Sequence, residues 1–117
     1  MQNIKDSTST LASKQCSSCR LAENPLDPEK CRQLFDQLSD QWSIQDENKS
    51  LQRKYKFKNF NLALEFTNKL GQLADQQGHH PDIFLGWGKV AVTLTTHKAG
   101  GLTEDDFIMA AKIDTLR

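Results

Sequence analysis

Hydrophobic residues recur with two different periods along this chain, and each change of period marks a predicted element. In three segments they recur every three or four positions, which is typical of helices that bury one face. In two paired segments they recur every second position, which is typical of strands with one buried face. The predicted order is α-β-β-α-β-β-α. This order favours an α+β domain, with a four-stranded antiparallel sheet and the helices packed on one face.

Capping residues mark where the predicted helices begin and end. Asp27 stands before a proline, and both favour the first helix start. Asn59 can cap a second helix of about eighteen residues, which Gly78 would end. Thr103 and Asp106 have the spacing of a capping box at the third start. The second helix is expected to bury a stripe formed by Phe60, Ala63, Phe66, Thr67, Leu70, Leu73 and Ala74.

Two predicted hairpins supply the four strands. The first begins near Trp42 and turns at the polar segment 46–49, and its second strand covers about 50–58. The second hairpin pairs a strand over 83–87 with a strand over 89–96. The residues expected to face the core from the two hairpins are Leu51, Tyr55, Phe57, Val90, Val92 and Leu94.

Composition limits the class of protein. The chain has 117 residues, with 15 basic and 15 acidic side chains, so its formal net charge is zero. This length fits one domain that can bury its own core. A balanced charge does not favour direct nucleic-acid binding, and no apolar run approaches the ~20 residues that a membrane span needs. The polar N-terminus lacks the apolar segment of a signal peptide, so we expect a cytoplasmic protein.

The first 24 residues differ from the rest. They are polar and aperiodic, and they predict a flexible leader before a domain over 25–117. Cys16 and Cys19 lie in this leader with the spacing of a metal or redox motif. A structural zinc site needs four ligands, and the chain has no second pair with this spacing. Two reduced thiols in a flexible leader are therefore the simpler interpretation, with a metal or redox role as the alternative.

All three histidines of the chain fall in two short segments. His79 and His80 stand between Gly78 and Pro81, and His97 ends the last predicted strand. The hairpin between the segments would bring the three imidazoles together. Because Pro81 favours an extended backbone at His80, we expect His79 and His80 to point to opposite sides. Three converging imidazoles suggest acid–base chemistry, since their ordinary pKa is about 6.5. A three-histidine metal hydrolase is the alternative.

The motifs resemble the pterin-4a-carbinolamine dehydratase family over roughly residues 27–117. The resemblance rests on Gly78-His79-His80-Pro81, Trp87-Gly88-Lys89-Val90, Thr93-Leu94-Thr95-Thr96-His97, Gly101-Leu102, Asp106, and upstream on Trp42 and the segment 56–60. It implies a hydro-lyase that converts 4a-hydroxytetrahydrobiopterin to quinonoid dihydrobiopterin and water. This reaction recycles the pterin cofactor of aromatic amino-acid hydroxylases. Histidines can act as acid and as base in it, so no metal ion or organic cofactor is expected.

The resemblance also implies roles for single residues. His79, His80 and His97 match the catalytic histidines of the family. Asp106 matches an acidic pocket residue, and its alternative role is the helix cap. Asp75 stands where the family commonly carries the longer glutamate, so its contact to the pterin or to a histidine stays open. The substrate-binding residues that the resemblance implies are Asp75, Pro81, Thr96, Lys98, Ala99 and Asp106, with Thr96, Lys98 and Ala99 lining the pocket through backbone groups.

For Trp87 we expect a place either in the core or in the wall of the pocket.

The resemblance also implies self-association, as a homodimer or homotetramer. The free edges of an antiparallel sheet are a second reason to expect it. Animal members of the family also act as dimerisation cofactors of a homeodomain transcription factor. A non-catalytic binding role, or a regulatory contact with an aromatic amino-acid hydroxylase, is therefore the alternative function.

Overall fold

The computed structural model describes residues 11–14 and 24–117. Within them the elements are α1 (Pro28–Phe35), β1 (Ser43–Gln45), β2 (Ser50–Lys56), α2 (Phe60–Gln77), β3 (Asp82–Gly86), β4 (Lys89–Leu94), a short 3₁₀ helix (His97–Ala99) and α3 (Glu104–Asp114). The predicted order of helices and strands is confirmed. The 3₁₀ helix, which carries His97, is an addition that the sequence pattern did not predict.

One antiparallel sheet holds the four strands, in the order β1-β2-β4-β3. The central strands β2 and β4 pair from Leu51 opposite Leu94 to Lys56 opposite Lys89. On one face of these strands, the apolar side chains are buried and join the core beneath the helices, whereas Lys54 and Lys56 on the other face are exposed. The predicted α+β class, with helices on one face of the sheet, is confirmed.

The predicted caps of α2 fix the position of the residue that follows the helix. Asn59 Oδ1 accepts a hydrogen bond from the backbone N–H of Leu62 at 2.9 Å. At the other end Gly78 adopts a left-handed conformation, with φ of 66°, which a residue without Cβ reaches at little cost. The N–H of His79 then donates to the carbonyl of Ala74 at 3.2 Å. The end of α2 therefore holds His79 against the domain.

Two expectations about apolar residues are wrong. Phe60 is 45% exposed, because it is the first residue of α2 and the buried stripe begins one turn later, at Ala63. Trp87 is 71% exposed. It lies with Gly88 in the turn between β3 and β4, because β3 already ends at Gly86. Trp87 is therefore not a core residue, and it is not among the residues that line the histidine pocket.

Residues 11–14 of the predicted leader pack against the domain. Leu11 is only 1% exposed and belongs to the hydrophobic core. Lys112 Nζ donates to the carbonyl oxygen of Ala12 at 2.7 Å, and Lys14 Nζ lies 3.0 Å from Glu104 Oε2. The boundary near residue 24 stays a prediction. The expectations about Cys16 and Cys19 concern positions outside the described residues.

Among the described residues, no helix combines the length and the apolar character that crossing a membrane requires.

Candidate active site

The three histidines line one pocket of about 330 Å³. His79 and His80 enter it from the end of α2, and His97 enters from the 3₁₀ helix after β4. The remaining lining residues are Gly78, Thr95, Thr96 and Lys98. The hairpin therefore brings together the two segments that carry the histidines. The catalytic roles of these histidines remain a prediction.

His79 is the buried histidine of this pocket, and Asp106 holds it. Only 6% of His79 is exposed, and Asp106 is fully buried in the first turn of α3. Nε2 of His79 lies 2.6 Å from Oδ1 of Asp106. Since an ionised carboxylate only accepts hydrogen bonds, Nε2 carries the proton of this contact. Nδ1 is then the ring nitrogen that gains or loses a proton.

Opposing influences act on the pKa of His79. Burial lowers the pKa, because the imidazolium loses hydration. The hydrogen bond and the charge of Asp106, together with the charge of Asp105, raise it and outweigh burial. The pKa of His79 therefore lies above its ordinary value of 6.5. A larger fraction of His79 is protonated near neutral pH than for a free histidine, which suits a proton donor.

The second carboxylate oxygen of Asp106 has two donors of its own. Oδ2 accepts from the Thr96 hydroxyl at 2.8 Å and from the backbone N–H of Thr103 at 2.9 Å. The bond to Thr103 belongs to the capping box that begins α3. Asp106 therefore caps a helix and orients an imidazole at the same time, so the two alternatives considered for this residue are compatible.

His80 occupies an open position and contacts Asp75. Its Nε2 lies 2.9 Å from Asp75 Oδ1, while 64% of the His80 side chain and 83% of the Asp75 side chain are exposed. The shorter acid therefore still reaches a histidine. Both residues also border a neighbouring groove of about 540 Å³ between α2 and β3, which includes Pro81. His79 and His80 thus have different acidic partners, in agreement with their expected divergence.

The loop that carries His97 is held by its own backbone. The carbonyl of Thr96 accepts from the N–H groups of Ala99 and Gly100, at 3.0 Å each. The N–H of Thr96 donates to Gly101 O at 3.2 Å. These polar groups of Thr96 and Ala99 are thus used within the loop, and the side chain of Thr96 points to Asp106. Lys98 lines the pocket, whereas Ala99 is buried and lies outside the lining residues.

Two threonines join the site without having been predicted. The sequence pattern places Thr103 only at a helix start, yet its hydroxyl lies 2.9 Å from that of Thr96. Thr95 lines the histidine pocket, and its hydroxyl donates to the carbonyl of Lys49 at 2.5 Å. Thr95 thereby connects the pocket to the turn between β1 and β2. Its place directly before Thr96 and His97 was the available signal.

Within 11–14 and 24–117, no group of three or more His, Cys, Asp or Glu side chains is arranged to hold a metal ion. The adjacent His79 and His80 instead pair with separate carboxylates.

Two similar proteins from different organisms carry the same name. A protein of Alkaliphilus metalliredigens, provisionally named pterin-4-alpha-carbinolamine dehydratase, is 48% identical over 104 residues, which is 89% of this chain and 93% of the relative. A relative from Rubrobacter xylanophilus with the same provisional name is 47% identical over 108 residues, which is 92% of this chain and 99% of the relative.

Solved structures show the same fold. The crystal structure of a transcriptional coactivator/pterin dehydratase from Brucella melitensis matches with a TM-score of 0.73 and 33% identity, over 80% of this chain and 98% of that chain. A pterin dehydratase-like protein described as a RuBisCO assembly factor in the α-carboxysome matches with a TM-score of 0.57 and 28% identity, over 64% and 87% of the two chains. The family model of pterin 4 alpha carbinolamine dehydratase matches residues 24–116. The chain therefore belongs to the pterin 4 alpha carbinolamine dehydratase family.

Proposed function

We propose that this protein dehydrates 4a-hydroxytetrahydrobiopterin to quinonoid dihydrobiopterin in the cytoplasm, as a step in recycling the cofactor of aromatic amino-acid hydroxylases. The observation that carries the proposal is the pair of His79 and Asp106 at a pocket that His80 and His97 also line. The pair supplies an imidazole whose pKa is raised, so that it holds a proton more firmly than a free histidine. Membership of the family supplies the substrate class.

The reaction needs one proton delivered and one removed. The bond between the 4a carbon and the hydroxyl oxygen breaks, its electrons go to the oxygen, and a proton completes the water molecule. A ring nitrogen of the pterin loses a proton, and its electrons form the new double bond. Protonated His79 is the proposed acid, since Asp106 stabilises its charge. The base is one of the two exposed histidines, His80 or His97. One proton is added and one is removed, and elimination of water transfers no electrons to or from the substrate, so no external oxidant or reductant is required.

Binding of the pterin is assigned to the polar residues around the histidines. The proposed contacts to the edge of the heterocycle come from Asp75, which is exposed beside His80, and from Lys98, which lines the pocket. Pro81 borders the adjoining groove. Thr96 lines the pocket but is nearly buried, and Asp106 is fully buried behind it. Their proposed contribution is therefore to hold the histidines, while Asp75 and Lys98 contact the substrate.

Turnover of the pterin tests this proposal. The purified full chain is added to freshly generated 4a-hydroxytetrahydrobiopterin, and formation of quinonoid dihydrobiopterin is followed against the spontaneous rate. Acceleration by the wild type, its loss in His79→Gln and its retention in the surface variant Gln33→Ala are expected. An unaccelerated reaction would reject the dehydratase function. Activity that disappears in chelator and returns with zinc would favour the three-histidine metal site instead.

A binding role is the second candidate, and the structural relatives favour it. One is titled a transcriptional coactivator/pterin dehydratase and another a RuBisCO assembly factor. In such a role the chain would act through a surface outside the histidine pocket, for example towards an aromatic amino-acid hydroxylase. His79→Gln separates the two functions, because it removes the proposed acid and leaves the exposed surfaces unchanged. A partner effect that persists in this variant would support the binding role.

A further inference from the structure

Two buried threonine hydroxyls continue the contact between His79 and Asp106 into the domain. Thr96 Oγ1 lies 2.8 Å from Asp106 Oδ2 and 2.9 Å from Thr103 Oγ1. Asp106 is fully buried, and Thr96 and Thr103 are nearly so. The four side chains therefore form one hydrogen-bonded chain, from Thr103 through Thr96 and Asp106 to His79.

Counting hydrogens gives this chain a direction. A hydroxyl has one hydrogen to donate, and an ionised carboxylate has none. Thr96 therefore gives its hydrogen to Asp106 and must accept from Thr103. Asp106 then receives three donors, which are the Thr96 hydroxyl, the Thr103 N–H and the Nε2–H of His79. Two of these donors hold Oδ2, so that Oδ1 is left for the imidazole.

We propose that Thr96 is a positioning residue, which with Thr103 fixes the Asp106 carboxylate and shares its negative charge, and thereby sets how readily His79 releases its proton. The consequence for turnover rests on the proposed dehydratase function, whereas the consequence for His79 does not. A carboxylate that lost the Thr96 donor would concentrate more negative charge on Oδ1. The imidazolium would then be held more firmly and would give up its proton less readily.

Two other titratable groups interact with His79 or with Asp106, and both stay unchanged in the test. Asp105, on the same turn of α3, is buried and raises the pKa of His79. Cys31, on α1, has a pKa raised by burial and then by the charges of Asp106 and Asp27. A change of Thr96 leaves these groups in place. A difference in the pKa of His79 between the variants is therefore due to the loss of the Thr96 hydroxyl.

The experiment compares Thr96→Val, which keeps the shape of the side chain, with Thr96→Ser, which keeps its hydroxyl. Thr115→Val is the matched control, because the Thr115 hydroxyl bonds to Lys112 O at the far end of α3. The His79 ring is titrated by NMR in each full-length variant. We expect Thr96→Val to raise the pKa of His79 by about half to one unit, since the lost bond is one to a charged group. Thr96→Ser and Thr115→Val should match the wild type.

Turnover supplies the second measurement. In the plot of turnover against pH, the part of the curve that is governed by ionisation of His79 should move to higher pH in Thr96→Val. In Thr96→Ser it should lie where it does in the wild type. Thr103→Val removes the hydroxyl behind Thr96, and it should shift the His79 pKa in the same direction by a smaller amount. Thr103→Val decides the question if Thr96→Val does not fold.

An unchanged or lowered pKa of His79 in a folded Thr96→Val protein would overturn the inference. So would a failure of Thr96→Ser to restore it. If the wild type does not turn over the pterin, the proposed function fails, while the NMR titration still tests the role of Thr96.

Discussion

Asp106 lies 27 positions beyond His79 in the chain, yet its Oδ1 is 2.6 Å from the Nε2 of that histidine. The contact joins the end of α2 to the beginning of α3. Both partners are buried, whereas His80 and Asp75 form a similar contact in the open. An ion pair that is shielded from solvent perturbs protonation more than an exposed one. His79 is therefore the histidine whose chemistry the fold controls most closely.

Replacing Asp106 by Asn tests that control. The charge of Asp106 that raises the pKa of His79 is lost, while burial, which lowers the pKa and is the largest influence, remains and outweighs the smaller effect of Asp105. We expect the pKa of His79 to fall below its ordinary value and turnover to drop by about 10²–10⁴-fold, the range for loss of one acid or base. NMR titration of the ring and the rate profile measure the two effects. A pKa of His79 that stays raised would show that Asp106 is not its cause.

The same pair predicts how stability changes with pH. The pKa of His79 is raised in the folded protein, so the folded state binds the proton more tightly than the unfolded chain. The stabilisation is complete below the ordinary value of about 6.5 and is lost as pH rises through the raised pKa. Urea unfolding of the wild type and His79→Gln should therefore show a stability difference that shrinks across this window.

His80→Gln is the control for this measurement, because its exposed pair with Asp75 is worth little. A difference between wild type and His79→Gln that grows with pH would contradict the predicted sign.

Because Leu11 is buried, we expect part of the N-terminal segment to stabilise the domain. Its side chain is buried in the core, so Leu11→Ala should cost roughly 2–5 kcal/mol, as other buried leucines do. Lys14→Ala removes only the half-exposed contact to Glu104 and should cost about 1 kcal/mol or less. Chemical unfolding of both variants measures the contrast. Equal and small effects would mean that Leu11 is not packed in solution.

The fold was predictable because its signals are local. Asn59 and Gly78 bound α2 where the sequence placed them, and Val90 and Val92 alternate into the core as expected. The prediction for Trp87 was wrong because residue type alone does not distinguish an apolar residue in a two-residue turn from one at the end of a strand. Leu11 was missed because a single apolar residue has no periodicity to detect, so its burial depends on tertiary contacts alone.

The residues of the site were predictable from the sequence, but the hydrogen bonds between them were not. The hairpin length indicates that the histidines meet, and the pocket contains all three. Which histidine would be buried depended on the direction of α2 relative to α3, which no spacing encodes. The hydroxyl of Thr96 bonds to Asp106 across the fold, while the backbone groups of the loop bond to one another.

The unpaired edge of strand β3 leads us to expect that the protein self-associates. It is an outer strand of the sheet, and its exposed residues include Ile83 and Phe84. The other outer strand, β1, has only three residues, so β3 offers the longer unpaired edge. We expect a homodimer or homotetramer by light scattering. Phe84→Lys should weaken the assembly, and Gln45→Lys on β1 should not. A monomeric wild type at micromolar concentration would reject this prediction.

The last prediction concerns how the histidines divide the reaction. His79 and His97 reach the pocket from different elements, the end of α2 and the 3₁₀ helix. They can therefore stand on different sides of a bound pterin, one as acid and one as base. We expect His79→Ala and His97→Ala each to lower turnover by about 10²–10⁴-fold. The double variant should lose much less than the product of the two factors, because the first change already disables the shared proton transfer.

His80→Ala is the comparison within the same pocket. Its side chain is exposed and pairs with Asp75 instead of Asp106. We therefore expect its loss mainly as a raised Michaelis constant, with turnover reduced less than in the other two variants. Steady-state kinetics of the three single variants and the His79/His97 double variant measure all of these effects. If the losses at His79 and His97 multiply fully, the two imidazoles act in separate steps, and His80 becomes the candidate for the base that works with His79.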